Sequence, residues 1–230
     1  MPRLQETDRT DRTPTVALTP ASAGRLAVRL PKGKPSSVVF VVAGDFDLTV
    51  EELRVVARYA VESAEQVLAL FEKGHPGDTR PRAAISAART FAEGAPRTNL
   101  QRATALEAHR AAKTATAEAA KQAARAAGDA AAAAYLHPLA NSTQVGHILR
   151  AAACAARAAE LSVGDDPEVG DASIEEACRR APAVLIDVLR RYPPAPTGKS
   201  RTAQLMTNLD TLLRSSSAPR GSQEGVSESS

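Results

Sequence analysis

The sequence predicts an all-α protein: an antiparallel, alanine-rich bundle of about five helices, with a short N-terminal β-hairpin ahead of it and disordered tails. Three observations carry that expectation. Between Ala108 and Ala134, 16 of 27 residues are alanine, the residue that loses least on entering a helix because it has no rotamers to fix. Segments with apolar residues at 3–4 spacing alternate with short Gly/Pro turns, the pattern of antiparallel neighbours in a bundle. Aromatic residues are only 3% of the chain and Trp is absent. A core of Ala, Leu and Val must then rely on many close helix contacts rather than a few large anchors.

Residues 1–22, rich in Thr, Asp, Arg and Pro, read as a disordered tail. Residues 23–44 read as a hairpin in which Arg25–Leu30 and Ser37–Val42 flank a Pro/Gly/Lys turn. The bundle is expected over residues 45–192. Its first helix opens at Thr49, with Glu52 at capping-box spacing and Leu48 and Leu53 placed as a hydrophobic staple. Leu53, Val56, Ala60, Ala64, Val67 and Phe71 form its apolar stripe, and Gly74 is the expected C-cap. A second helix begins near Asp78, with Pro81 in its first turn, and ends at Gly94 and Pro96. Thr98 and Gln101 form another capping box, which starts one long alanine helix ending before Pro138. A fourth helix is expected over Asn141–Leu161. A fifth, capped by Ser173 and Glu176, is expected to end at Tyr192. Residues 193–214 read as a tether and a short helix over 203–214, and residues 215–230 as a disordered tail.

Charge and cysteine usage exclude several classes. The net charge is +3, but residues 1–44 carry +4, residues 45–160 +1 and residues 161–230 −2. The basic excess lies in the N-terminal tail, so the pattern argues against nucleic acid, whose binders concentrate Lys and Arg on one folded face. Cys154 and Cys178 fall in expected helices with no CxxC spacing, which reads as two reduced thiols and no metal site. The first residues lack the apolar stretch of a signal peptide, and no apolar run is long enough to span a membrane. The expectation is a cytoplasmic protein with no membrane association. Arginine outnumbers lysine 23 to 6, which with the alanine excess suggests a GC-rich bacterial coding sequence.

No GxSxG, P-loop, HExxH or Gly-rich phosphate cradle is present, so no catalytic residue and no cofactor are assigned. Glu62 and Glu65 resemble a carboxylate pair, but Arg58 four residues before Glu62 explains them as an ordinary charged face. Glu72, His75, Asp78, Arg80, Arg82 and Arg89 form the densest polar constellation, at the first inter-helix turn and the helix after it. Arginine forks suit carboxylates, and two readings stand: bracing within the fold by Glu72 and Asp78, or recognition of a partner protein. His109 points toward the alanine face of its helix. A histidine buried there needs a partner, expected to be a carboxylate of the first helix, and reads either as structural or as a pocket residue.

The spaced pattern Leu70-Phe71-Glu72, His75-Pro76, Asp78, Arg80-Pro81, Ile85 and Ala88-Arg89, followed by the alanine block ending AARAAGDAAAAAYL, resembles the Imm-5-like family. These are all-helical bacterial proteins described as immunity proteins of polymorphic toxin systems. The resemblance covers about residues 46–160, leaving out the hairpin, the fifth helix and the tails. It implies a non-enzymatic binder whose partner is a cognate toxin. This chain departs from the family where Asp129 and Tyr135 stand in place of expected histidines, which puts any histidine-dependent function in doubt. Two other readings remain: a helical scaffold for an unrelated partner, and an enzyme centred on His109, which requires a concave polar pocket at that side chain.

Overall fold

A computed structural model describes residues 41–42 and 44–216. The N-terminal tail, the Arg25–Leu30 strand and residues 217–230 lie outside the described residues. Val41–Val42 (β1) pairs antiparallel with Leu48–Thr49 (β2), Val41 opposite Thr49 and Val42 opposite Leu48. The end of the segment expected to close an N-terminal hairpin thus pairs with the residues leading into the first helix. The connecting loop is anchored elsewhere: the Asp45 N–H donates to the Pro138 carbonyl at 2.7 Å, and Asp45 Oδ2 accepts from the Ala140 N–H at 2.7 Å. Gly44 allows this approach, because a Cβ there would run into Pro138.

Among the described residues, eight α-helices follow. The first, α1 (Val50–Gly74), starts with the expected capping box: the Glu52 N–H donates to Thr49 Oγ1 at 3.1 Å and the Thr49 N–H to Glu52 Oε2 at 2.7 Å. Every residue of its expected apolar stripe is buried. Gly74 is its last helical residue rather than a left-handed cap, and His75 caps it with φ −138°. Helix α2 (Arg80–Ala92) carries Pro81 in its first turn and stops at Gly94, whose φ of +118° uses the freedom only glycine has. Arg58, expected to face Glu62, instead donates to the Ala92 carbonyl at 2.9 Å and joins α1 to the end of α2. Glu62 faces Arg180 and Glu65 faces Arg89.

The alanine stretch is not one helix. It forms α3 (Asn99–Thr114), opened by the expected Thr98/Gln101 box, and α4 (Glu118–Ala132), separated by the extended residue Ala115. Two physical causes act together. Thr114 and Thr116 flank the break, and the Thr114 hydroxyl donates to the Ala111 carbonyl at 3.0 Å, a back-bond that weakens helix propagation. A continuous helix would also run roughly 50 Å, against about 37 Å for α1, and leave much of its alanine surface in water. Folded back, α4 packs against α1, α2, α3 and α5. Its residues Ala120, Ala123, Ala124, Ala126, Ala127, Ala130 and Ala131 are all buried.

Two 3₁₀ turns, Ala133–Tyr135 and Ser142–Gln144, lead to α5 (Val145–Ser162). The expected fifth helix is also divided, into α6 (Pro167–Arg180) and α7 (Ala183–Arg190). Pro182 causes the division, because a proline disfavours the helical region for the residue before it, and Ala181 takes ψ 118°. Helix α6 is capped by Asp166, not Ser173, whose hydroxyl donates to the Val169 carbonyl at 2.7 Å in mid-helix. The last helix, α8 (Arg201–Ser215), is docked on α5 and α6 through buried Leu205, Met206, Leu209 and Leu213. The segment read as its tether is pinned too: the Ala195 N–H donates to Asp210 Oδ2 at 3.0 Å, and the Tyr192 hydroxyl to the His137 carbonyl at 2.9 Å. About five expected helices thus become eight, because two of them break and α8 joins the bundle.

Candidate functional site

The polar constellation at the α1–α2 turn forms as a row of internal pairs. Arg82 Nε and Nη2 donate to Glu72 Oε1 and Oε2, each at 2.6 Å. Arg80 donates to Asp78 through Nε at 2.9 Å and Nη2 at 2.6 Å, which holds the Asp78 carboxyl below its ordinary range. Arg80 Nη2 also lies 3.4 Å from Thr114 Oγ1, linking the turn to the end of α3. Arg89 pairs with Glu65 of α1. The His75 ring stacks on Phe71 with centroids 4.7 Å apart. The result is a ridge of guanidinium–carboxylate pairs whose outer edges stay in water, with Arg82 63% exposed.

His109 lies elsewhere, in a cleft of about 560 Å³ among α3, α4, α5 and the start of α8. From α4 it receives Gln122, Arg125 and Asp129, and from α5 Arg150 and Cys154; Ser200, Arg201 and Thr202 close one side. His109 fits because α4 has Gly128 beneath it: a Cβ at that position would lie 2.8–3.0 Å from the imidazole atoms. The carboxylate facing His109 is Asp129 of α4, not one from α1, with Oδ1 3.7 Å from Nε2. That is an ionic contact when the ring is protonated and too long for a hydrogen bond.

Asp129 is buried, and burial pushes its carboxyl above the ordinary 3.8, against the opposing pull of Arg150, His109, the Cys154 thiol and Arg125. Cys154 Sγ donates a long thiol bond, 3.7 Å, to Asp129 Oδ2. Burial, reinforced by that carboxylate, pushes the Cys154 thiol well up. Gln122 Nε2 lies 3.4 Å from Glu118 Oε1, whereas Gln122 Oε1 has no partner. Both cysteines are free. Among the described residues, no group of three His, Cys, Asp or Glu side chains is placed to hold a metal ion.

His109 is legible in the sequence as a candidate pocket residue, whereas its companions Gln122, Arg125, Arg150 and Cys154 are not. The signal was present in the spacing 118, 122, 125, 129 on α4 and 150, 154, 157 on α5, each at 3–4 intervals on one helix face. What hid their meaning was that the wall facing them comes from α8, far along the chain. Tyr135, the other departure from the family pattern, closes a loop instead: its hydroxyl donates to the Thr98 carbonyl at 2.7 Å and Arg97 sits over its ring.

The fold is thus an all-α bundle that carries a charged ridge and a polar cleft. The family model described as Imm-5 like putative immunity protein matches residues 47–184. The chain belongs to that family. The match extends past α5 through α6 to the start of α7, further than the motif-bearing segment. No curated protein and no solved structure matches the chain. Among the described residues, no helix is long and apolar enough to cross a membrane.

Proposed function

We propose that the protein is a bacterial immunity protein that neutralises a cognate toxin in the cytoplasm by binding it, without chemistry of its own. Family membership across α1–α6 is the observation that carries this reading. The α1–α2 ridge supports it. Arg80, Arg82 and Arg89, with Glu72, His75 and Asp78, present charged groups whose geometry is already set by their internal pairs. Such a rim steers an oppositely patterned partner and selects against wrong ones, while costing little ordering entropy on contact.

The alternative of an enzyme centred on His109 gains the polar pocket it requires, but the groups around the ring favour binding. The Cys154 thiol is held protonated by burial and directed at Asp129, so it is a poor nucleophile. The test is to identify a secreted toxin encoded by a neighbouring gene and to co-express it with the protein. Restored growth and co-elution of the two chains are expected. Unrelieved toxicity in cells that accumulate the folded protein would overturn the proposal.

A further inference from the structure

We propose that the cleft at His109 is a binding site for a small phosphate-bearing molecule that also presents an O–H or N–H donor. This goes beyond toxin neutralisation and does not depend on it. The cleft's volume, about 560 Å³, falls among those of ligand pockets.

Its inner wall holds an unmet acceptor. Gln122 is only 6% exposed, and its Oε1 has no hydrogen-bond partner. Buried side-chain acceptors in native proteins nearly always find a donor, so a donor belongs in the cleft. Gln122 Nε2 lies 3.4 Å from Glu118 Oε1, which fixes the amide orientation and leaves the oxygen as its unpaired end.

The mouth holds unmet cations. Of the four guanidiniums lining the cleft, Arg157 is taken up by Glu160 and Asp165, and Arg201 by Glu160 and Asp171. Arg125 and Arg150 make no ion pair among the described residues and are exposed. Arg150 lies back over Gly146, where the lack of a Cβ lets its guanidinium rest against α5. The 15-residue helix α8 also begins here. Ser200 Oγ accepts from the Ala203 N–H, leaving the Arg201 and Thr202 N–H groups at the cleft with the positive end of the helix.

Two forked guanidiniums and a helix N-terminus match the charge and oxygen count of a phosphate dianion better than those of a carboxylate. Of the acidic groups nearby, Glu118 is occupied by Lys121 at 3.0 Å, and the Asp129 side chain is only 9% exposed and faces His109 and Cys154. The ligand therefore sits with its phosphate between Arg125, Arg150 and the α8 N-terminus, and its hydroxyl or amino group at Gln122.

Isothermal titration of the full chain with ribose 5-phosphate, adenosine monophosphate, inorganic phosphate and ribose tests this. At least one of the two esters binds saturably and more than about tenfold tighter than inorganic phosphate, while ribose shows no binding. R125A/R150A weakens the ester by more than about tenfold. Q122L weakens the ester but leaves inorganic phosphate unchanged, a split that general loosening of the fold would not produce. Failure of both esters to bind, equal affinity for ester and inorganic phosphate, or full affinity in R125A/R150A would each overturn the proposal.

Discussion

At the residue scale, one glycine and one histidine on separate helices are coupled. Alanine in place of glycine inside a helix normally gains about 1 kcal/mol, but at position 128 the new methyl meets the His109 ring. G128A is therefore expected to stabilise the H109A background by about 1 kcal/mol and the parent by clearly less, or not at all. Equal gains in both backgrounds, read from denaturant midpoints, would show that the two positions are independent. Asp129 makes a second residue-scale case. Burial raises its folded pKa above the ordinary 3.8, so above that value the folded chain keeps a proton that the unfolded chain has lost. The contribution to stability is fully present below 3.8 and is lost as pH rises through the higher folded value. His109 of α3, Arg125 of α4, and Arg150 and Cys154 of α5 face this carboxyl and limit the loss without reversing it. D129N is expected to melt higher than the parent near pH 7, with the difference shrinking toward about pH 4. A difference that grows on acidification would instead mean that ionised Asp129 is held by its basic neighbours.

At the element scale, the start of α8 is clamped to α5 by one buried carboxylate. Glu160 is 0% exposed and bridges Arg157 of its own helix to Arg201 Nε at 2.8 Å, with Gly170 of α6 leaving space for it. Removing one partner of a buried pair costs roughly 3–5 kcal/mol when the remaining charge is stranded; here Arg157 stays, so R201A is expected to cost about 2 kcal/mol. The loss should concentrate in α8. Limited proteolysis of R201A is expected to cut within residues 193–200 well before the bundle is attacked, whereas simultaneous digestion would mean that α8 melts with the rest. This clamp also explains what could be read from the chain. Thr49/Glu52 and Thr98/Gln101 were legible as helix starts because a capping box is complete within four residues. Ser173/Glu176 carries the same spacing and fails, because Asp166 and Pro167 had already started the helix. Gly74 fails likewise, since a helix end is set by how the next segment packs. The α3–α4 break and the docking of α8 depend on partners distant in sequence, and propensity alone favoured one long helix. The ridge residues were legible as a cluster because they span one turn. The cleft was not, because its far wall arrives with Ser200–Thr202.

At the scale of the whole molecule, alanine sets the distances. With α4 enclosed by α1, α2, α3 and α5 and lined by buried alanines, the helices approach closely and the interior tolerates little added volume. Such a core is a rigid mount, and it separates the two polar features: the ridge at the α1–α2 turn and the cleft bounded by α8. If toxin recognition belongs to the ridge, its removal should leave the fold intact and affect association first. Arg82 is a well-suited probe, because it is largely exposed and its bond to Glu72 is solvent-facing. The double reversal E72R/R82E keeps the internal pair with its polarity exchanged, so stability should change little while the field presented to the partner inverts. The expected outcome is an unchanged melting temperature and about tenfold slower toxin association at low salt, with parent and variant converging as salt is raised. An association rate that is unaffected at low salt would remove the ridge from the interface and direct attention to another face of the bundle.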